Sequence, residues 1–444
     1  MIEELAVETG FLRNQRLEFA STFNVILGDI GAKELAAELI RFAIHGESPL
    51  WPAPGIERIS LTVRAPDGRK FVAVRANGET VLTEGGERIP GSLGDHPDVR
   101  VEYYDYDSIR EIGLNSQRQL LLLDRRDEKG NDRQIERKIL GVQKQLERNA
   151  REILALIENE TGAPGATAAG VPLSGLSRVR LDAERAALVH ELEDLRVERY
   201  ECRTATANEI NRHLGERRQI SVRRLADREP YRLLLESALG SLRDKASSLA
   251  VAISARLSPL HLFVAVQAGR ASEIEDRAGL SEYDSRRVTD LLRDSPSIFE
   301  IQTVDLLDGS DITFLKPNAQ EWQSAAHCSQ GERTVAVLPI LLHGTCPIVI
   351  SNPHRGLCGG DIYEEILPFV RAARKVRQVI FATEHPVLVV NGHADRIIVL
   401  DQRKGDCVQR SGTLEERVED VIQWCEGGRE AFRRRLELHR GGAA

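Results

Sequence analysis

The sequence predicts a layered α/β fold, a mixed sheet flanked by helices, interrupted by an antiparallel helical hairpin. Three observations predict it. Short β-branched runs bounded by polar residues, such as Pro347–Ser351 (PIVIS) and Gln378–Thr383 (QVIFAT), have the composition of buried parallel strands. Helical stretches lie between them, and alternation of strand and helix implies a layered sheet. Between two such regions, Asp127–Glu160 contains no proline and carries apolar residues at spacings of three and four, which is a helix period.

Taken in order, residues 1–127 read as an N-terminal lobe. Ser21–Leu27 is its strand, Ala36–His45 an apolar helix, and Ile59–Val63 with Lys70–Val74 a hairpin pair. Residues 128–215 read as the inserted hairpin, a short coiled coil. Ile135, Ile139, Val142, Leu146, Asn149, Ile153 and Leu156 form the seam of the first arm. Leu181, Leu188, Leu192, Leu195 and Cys202 form that of the second. Gly162–Gly175, rich in Gly, Pro and small residues, is the tip. Each arm is roughly 50 Å long at 1.5 Å per residue. Residues 216–444 read as a C-terminal lobe, with strands at Glu300–Asp305, Thr313–Lys316, Pro347–Ser351, Gln378–Thr383 and Ile397–Leu400 and a helical stretch at Ile362–Val376.

The bulk numbers bound the function. At 444 residues and 41% hydrophobic the chain can bury a substantial core. Its net charge of −8 argues against a generally basic nucleic-acid binder, although arginine clusters leave room for a local patch. No apolar run approaches the ~20 residues that cross a bilayer, and the acidic start MIEELAVETG lacks a signal core. The six cysteines (202, 328, 346, 358, 407, 425) are scattered. These features lead us to expect a cytoplasmic, reduced protein with no membrane contact. No histidine pair has H-x-x-x-H spacing, no Cys–His cluster has ligand spacing, and no G-x-S-x-G elbow occurs. No metal site and no serine hydrolase are therefore expected.

Phe23–Lys33 (FNVILGDIGAK) occupies the place of a strand, phosphate loop and helix. A working loop reads G-x-x-x-x-G-K-[ST]: its glycines turn amides toward phosphate, the lysine supplies charge, and the hydroxyl holds magnesium. Gly28, Gly31 and Lys33 remain as candidate nucleotide-binding residues. The spacing is one residue short, Ala32 replaces the glycine before the lysine, and Glu34 replaces the hydroxyl. A carboxylate there should repel phosphate.

The C-terminal third carries a resemblance. Ser329–Leu342 (SQGERTVAVLPILL) resembles the signature loop and helix of ABC-type ATPases, as in SMC-like and related DNA-repair proteins. Pro347–Leu357 (PIVISNPHRGL) resembles the Walker B strand, and Arg377–Thr383 with Val390–Leu400 the switch strand and its sequel. Cys425–Arg435 (CEGGREAFRRR) resembles the closing segment of a bacterial SMC-like subgroup. Together with the N-terminal strand-loop-helix and the central hairpin, these segments match the family in order and spacing over nearly the whole chain. The resemblance implies an ABC/SMC-like P-loop NTPase head.

The departures from the family pattern define what the resemblance implies for chemistry. The Walker B aspartate is Ser351, the glutamate that activates water is His354, and the D-loop aspartate is Cys358. Glu384 stands at the switch histidine, with His385 one place on. Asp107 stands in the segment matching the glutamine loop, Tyr103–Ile109. A lone His354 beside Arg355 reads as a surface residue, and His385 as a substitute switch only if the register slips. The signature residues Ser329, Gln330, Gly331 and Glu332 are intact. The resemblance therefore implies a pseudo-ATPase subunit that lends its signature in trans. ATP and magnesium are expected only at a composite site. The expected partner is an active SMC-like head, or a second copy of the chain, with DNA reached through the complex, in genome maintenance or mobile-element defence. A divergent working ATPase using Lys33 and His385, and a homodimer kept for docking alone, are the alternatives.

Overall fold

The computed structural model describes residues 1–10, 12–46, 58–76, 79–96, 98–127, 130–161, 173–293, 295–316, 320–403 and 406–441. They form two compact units that the chain visits in turn. The first comprises Met1–Asn115, Arg212–Gln219 and Ile312–Ala444, the second Ser116–Asn211 and Ile220–Asp311.

The first unit opens with β1 (Ile2–Val7), β2 (Gln15–Glu18), β3 (Phe23–Gly28) and α1 (Ile30–His45). It continues through β4 (Arg58–Arg64), β5 (Lys70–Ala76), β6 (Glu79–Glu84), β7 (Glu87–Ile89), β8 (Glu102–Tyr104) and α2 (Tyr106–Leu114). An antiparallel sheet runs in the order β2–β1–β4–β5–β6–β7. The expected hairpin is β4 with β5, in a register that sets Leu61 opposite Ala73 and Val63 opposite Phe71. Ile59, Leu61, Val63, Phe71 and Ala73 are all buried, so the period-2 alternation turns one apolar face to the core.

The second unit is helical, with α3 (Ser116–Arg126), α4 (Asn131–Thr161) and α5 (Leu173–Asn211). After β9 (Arg218–Asp227) come α6 (Glu229–Ala238), α7 (Ala246–Arg256), α8 (Pro259–Gln267), α9 (Ala271–Ala278), α10 (Glu282–Arg293) and α11 (Ser297–Thr303). Helices α4 and α5 form the expected antiparallel hairpin: Ile135, Ile139, Val142 and Leu146 pack against Leu188, Val189, Leu192 and Leu195. Asn149, within the apolar seam, donates from Nδ2 to the Leu181 carbonyl at 3.0 Å. A row of buried arginines on α5 fixes the hairpin to its neighbours. Arg185 bonds Gln302 and the carbonyls of Leu146 and Phe299. Arg199 bonds Glu136 and Asp305, and Arg203 bonds Asp124 and Asp308.

Two expectations change here. Glu300–Asp305 is not a strand: α11 covers Ser297–Thr303, because Ile298, Phe299, Ile301 and Gln302 are buried at helical rather than alternate spacing. The tip expected at 162–175 is helical from Leu173, and its residues 162–172 lie outside the described residues. The second unit takes in Ile220–Asp311, part of the stretch 216–444 that the sequence marks as the C-terminal lobe.

The chain then runs through β10 (Leu307–Leu315), β11 (Trp322–Ser324), α12 (Gln330–Leu342), β12 (Ile348–Ser351), α13 (Gly359–Asp361), α14 (Leu367–Ala373), β13 (Val379–Ala382), β14 (Arg396–Arg403), β15 (Asp406–Gly412), α15 (Val418–Glu426) and α16 (Arg429–Gly441). The central sheet of the first unit has the order β15–β14–β3–β13–β12–β8. Its pairs are parallel except β14 with β15. Every residue of β3, β12 and β13 is buried, which is why these strands read as continuous apolar runs. Strands from the two ends of the sequence thus share one sheet, as the layered reading requires. Among the described residues no single helix is long and apolar enough to cross a membrane, and no group of three His, Cys, Asp or Glu side chains is placed to hold a metal ion.

Candidate functional site

Parallel strands β3, β13 and β12 are neighbours, so the segments leaving their C-terminal ends emerge on one edge of the sheet, where open α/β sheets bind ligands. The three segments begin at Asp29, Thr383 and Asn352.

Asp29 is the whole connection between β3 and α1. Gly28 closes the strand at φ +128°, and a Cβ there would lie 1.9 Å from the Leu400 carbonyl oxygen. The glycine thus serves sheet packing rather than a phosphate cradle. The Asp29 amide donates to the Leu400 carbonyl at 3.1 Å, and its carboxylate accepts from the Gln402 amide at 2.6 Å. Gly31 is already the second residue of α1, and a Cβ there would meet nothing within 4 Å. The Lys33 amide is used in the first helical turn, donating to the Asp29 carbonyl at 3.0 Å. The segment whose spacing is one residue short in sequence leaves Asp29 alone between strand and helix.

The Lys33 side chain is 1% exposed and forms an ion pair with Glu384, which is 38% exposed. Burial draws the ammonium down to about 8, against the opposing pull of Glu34. Cys425, on α15, is pushed up to about 12 by burial. Glu34 accepts a hydrogen bond from Asn352 Nδ2 at 2.7 Å, so the acid at the hydroxyl position is tied to the residue after β12. Asn352 takes a left-handed φ of 52° in doing so.

His354 is not the surface residue expected. Its side chain is only 18% exposed, with Nδ1 2.8 Å from the Thr383 hydroxyl and Nε2 3.6 Å from Glu384 Oε1. Burial, with Lys33, His385 and Arg355 nearby, lowers its pKa to about 4 and holds the ring neutral. His385 packs 5.7 Å from it, ring to ring, and its amide donates to Thr383 Oγ1 at 3.2 Å. Burial lowers the His385 pKa as well. Glu384, not His385, reaches Lys33. Ser351 ends β12 and is buried. Lys33, Glu384, His354 and Ser351 were singled out in the sequence and are brought together. Asn352, Thr383 and Cys425 were missed; an asparagine at a strand end, tolerant of left-handed φ, was the available signal for the first.

The signature segment has its own local architecture. Ser329 N-caps α12: its hydroxyl accepts from the Glu332 amide at 3.4 Å, and Glu332 Oε2 accepts from the Ser329 amide at 2.9 Å, a capping box. Lys316 pairs with Glu332 at 2.7 Å. A Cβ on Gly331 would lie 2.5 Å from the Gly356 carbonyl oxygen, so the glycine lets α12 meet the turn after β12. Cys358 caps α13 in the same reciprocal way, with Asp361. Asp105 caps α2, and Asp107 lies in its first turn.

No family model matches the sequence, and comparison with curated proteins finds no match. Solved structures do match. An SMC head domain with an extended coiled coil from Pyrococcus furiosus, bound in that structure to the C-terminal domain of ScpA, superposes with a TM-score of 0.51 at 14% identity. The match covers 95% of this chain and 98% of that one. A second SMC head, bound to the C-terminal winged-helix domain of ScpA, gives 0.48 at 14% identity over 94% and 99% of the two chains. The recombination mediator RecF gives 0.45 at 14% identity over 92% and 98%. Parallel strands β3, β13 and β12 in one sheet, a helical hairpin within the chain, and superposition over its length on the Pyrococcus head show that this chain has the fold of an SMC-like, ABC-type P-loop ATPase head.

Proposed function

We propose that this chain is a catalytically retired SMC-like head that completes the nucleotide site of an intact ATPase head. The observation that carries the reading is the ion pair of the buried Lys33 with Glu384, at the end of a β3–α1 connection of one residue, Asp29. The cation that would meet phosphate is already neutralised. A unit of phosphate charge brought within ~4 Å of the Glu34 or Glu384 carboxylate meets roughly 4 kcal/mol of repulsion at an effective dielectric of about 20. That is about a thousandfold in affinity. Ser351 offers no carboxylate to order magnesium, and His354, bonded to Thr383, stands where the family's water-orienting glutamate would be.

The signature is the half that keeps its chemistry. Ser329 caps a thirteen-residue helix whose N-terminal dipole favours an anion. ATP and magnesium enter this reading only at the composite site, DNA only through the complex, and genome maintenance or mobile-element defence only as its setting. One observation favours a second reading, a homodimer kept for docking alone: the capping box and the Gly331–Gly356 contact give Ser329, Gly331 and Glu332 structural roles that need no nucleotide.

The test is the ATPase rate of the complex with the intact head that co-purifies with this chain. Ser329→Arg should lower the stimulated rate at least tenfold, by filling the closed interface, while circular dichroism reports a folded chain. Lys33→Ala should leave the rate within about twofold. An unchanged rate in Ser329→Arg favours the docking homodimer. A rate lost in Lys33→Ala instead favours a divergent working ATPase.

A further inference from the structure

The Lys33 ammonium and the Glu384 carboxylate differ sharply in exposure, 1% against 38%. The carboxylate therefore lies on the solvent side of the cation, across the approach that any external anion would take. Its surroundings are ordered. Thr383, fully buried, precedes it and bonds the His354 ring, and His354 Nε2 lies 3.6 Å from its second oxygen. Glu34, the other acid beside Lys33, is turned toward the Asn352 amide group. An ammonium buried to this degree keeps its charge best beside an anion, and Glu384 is the carboxylate in contact with it.

We propose that Glu384 is an internal counter-anion that masks an oxyanion site on Lys33, and that the site accepts a phosphate-class anion once Glu384 is neutralised. The proposal deepens the retired-site reading and rests on it: the site's cation is kept and its external ligand is replaced by a side chain from the segment after β13. The masking works by competition at high effective concentration. A tethered carboxylate is always present, whereas a free anion must displace it and also overcome its charge. Neutralising Glu384 removes the competitor, and removing Glu34 as well lifts the remaining repulsion. Affinity for an oxyanion should rise in the order wild type, Glu384→Gln, Glu34→Ser/Glu384→Gln.

The experiment uses the full chain and inorganic pyrophosphate without nucleotide or magnesium, with thermal unfolding as the readout, since a ligand that binds only the folded state raises Tm. Pyrophosphate should leave wild-type Tm unchanged, raise it in Glu384→Gln, raise it further in Glu34→Ser/Glu384→Gln, and leave Lys33→Met/Glu384→Gln unchanged. If Glu384→Gln does not fold alone, pyrophosphate present during refolding should rescue it, and the double variant with Lys33→Met should fold without it. A wild-type shift as large as that of Glu384→Gln overturns the masking. A folded Glu384→Gln that ignores pyrophosphate, or an unfolded one that it does not rescue, overturns the oxyanion site. Failure of the retired-head reading shows separately, as magnesium-dependent ATP turnover by the wild-type chain.

Discussion

At the scale of single residues, the two partners of the Lys33–Glu384 pair differ in how far water reaches them. Lys33→Met leaves a carboxylate that is 38% exposed overall although its Oε2 is buried, so its cost should be about 1–2 kcal/mol. Glu384→Gln strands a buried ammonium and should cost about 3 kcal/mol, and the double variant should recover most of that loss. Urea unfolding of the four chains measures the cycle; equal costs for the two single variants contradict the burial asymmetry. His354 gives a pH prediction. Its folded pKa of about 4 lies below the ordinary 6.5, so between those values the unfolded chain holds the proton that the native ring refuses. Stability is therefore lost as pH falls from about 6.5 toward 4, by roughly 3 kcal/mol at the low end. Comparing wild type with His354→Gln at pH 7.5 and pH 5 isolates this component: the substitution should flatten that part of the profile. The sequence identified Lys33, Ser351, His354 and Glu384 as positions. It did not show that they bond one another, because Lys33 and Glu384 are some 350 residues apart and pairing across that distance leaves no local pattern.

At the scale of elements, the start of α1 separates two glycines that look alike in sequence. Gly28→Ala would drive a Cβ into the Leu400 carbonyl at a φ that alanine resists, and should cost more than about 3 kcal/mol or abolish soluble expression. Gly31→Ala sits in helix α1 with open space around it and should stabilise by roughly 0.5–1 kcal/mol. Thermal melts of the two variants should move in opposite directions. Were Gly31 instead part of a phosphate-cradling loop, its alanine variant would give no such gain. Strands β3, β12 and β13 were legible because full burial writes an unbroken apolar run, and the hairpin because its seams keep helical spacing. Helix α11 was not legible. Its β-branched residues have strand composition, and only packing reveals that Ile298 and Ile301 share a helical face.

At the scale of the whole molecule, the sequence pattern marks the hairpin as an insertion followed by a C-terminal lobe. The structure groups α6–α11 with the hairpin. The link between them combines apolar packing of Ile153 and Leu181 against α6–α11 with buried arginine bonds, and the latter carry no signature in a linear pattern of charges. Arg185 illustrates this: one guanidinium joins α5 to the Leu146 carbonyl on α4 and to Gln302 and the Phe299 carbonyl on α11. Arg185→Met should cost about 3 kcal/mol by leaving those acceptors unsatisfied. Hydrogen exchange should show faster exchange in α11 and the facing stretch of α5, with the central sheet of the first unit unaffected. Faster exchange spread evenly over both units would contradict that localisation.

The fold is that of an ATPase head, and the central claim is that its own nucleotide site no longer binds ATP. Calorimetric titration of the purified chain with ATP and magnesium tests this directly. The account predicts no saturable heat up to millimolar nucleotide, for the wild type and for Lys33→Ala alike. Micromolar, magnesium-dependent binding by the wild type that Lys33→Ala abolishes would contradict it.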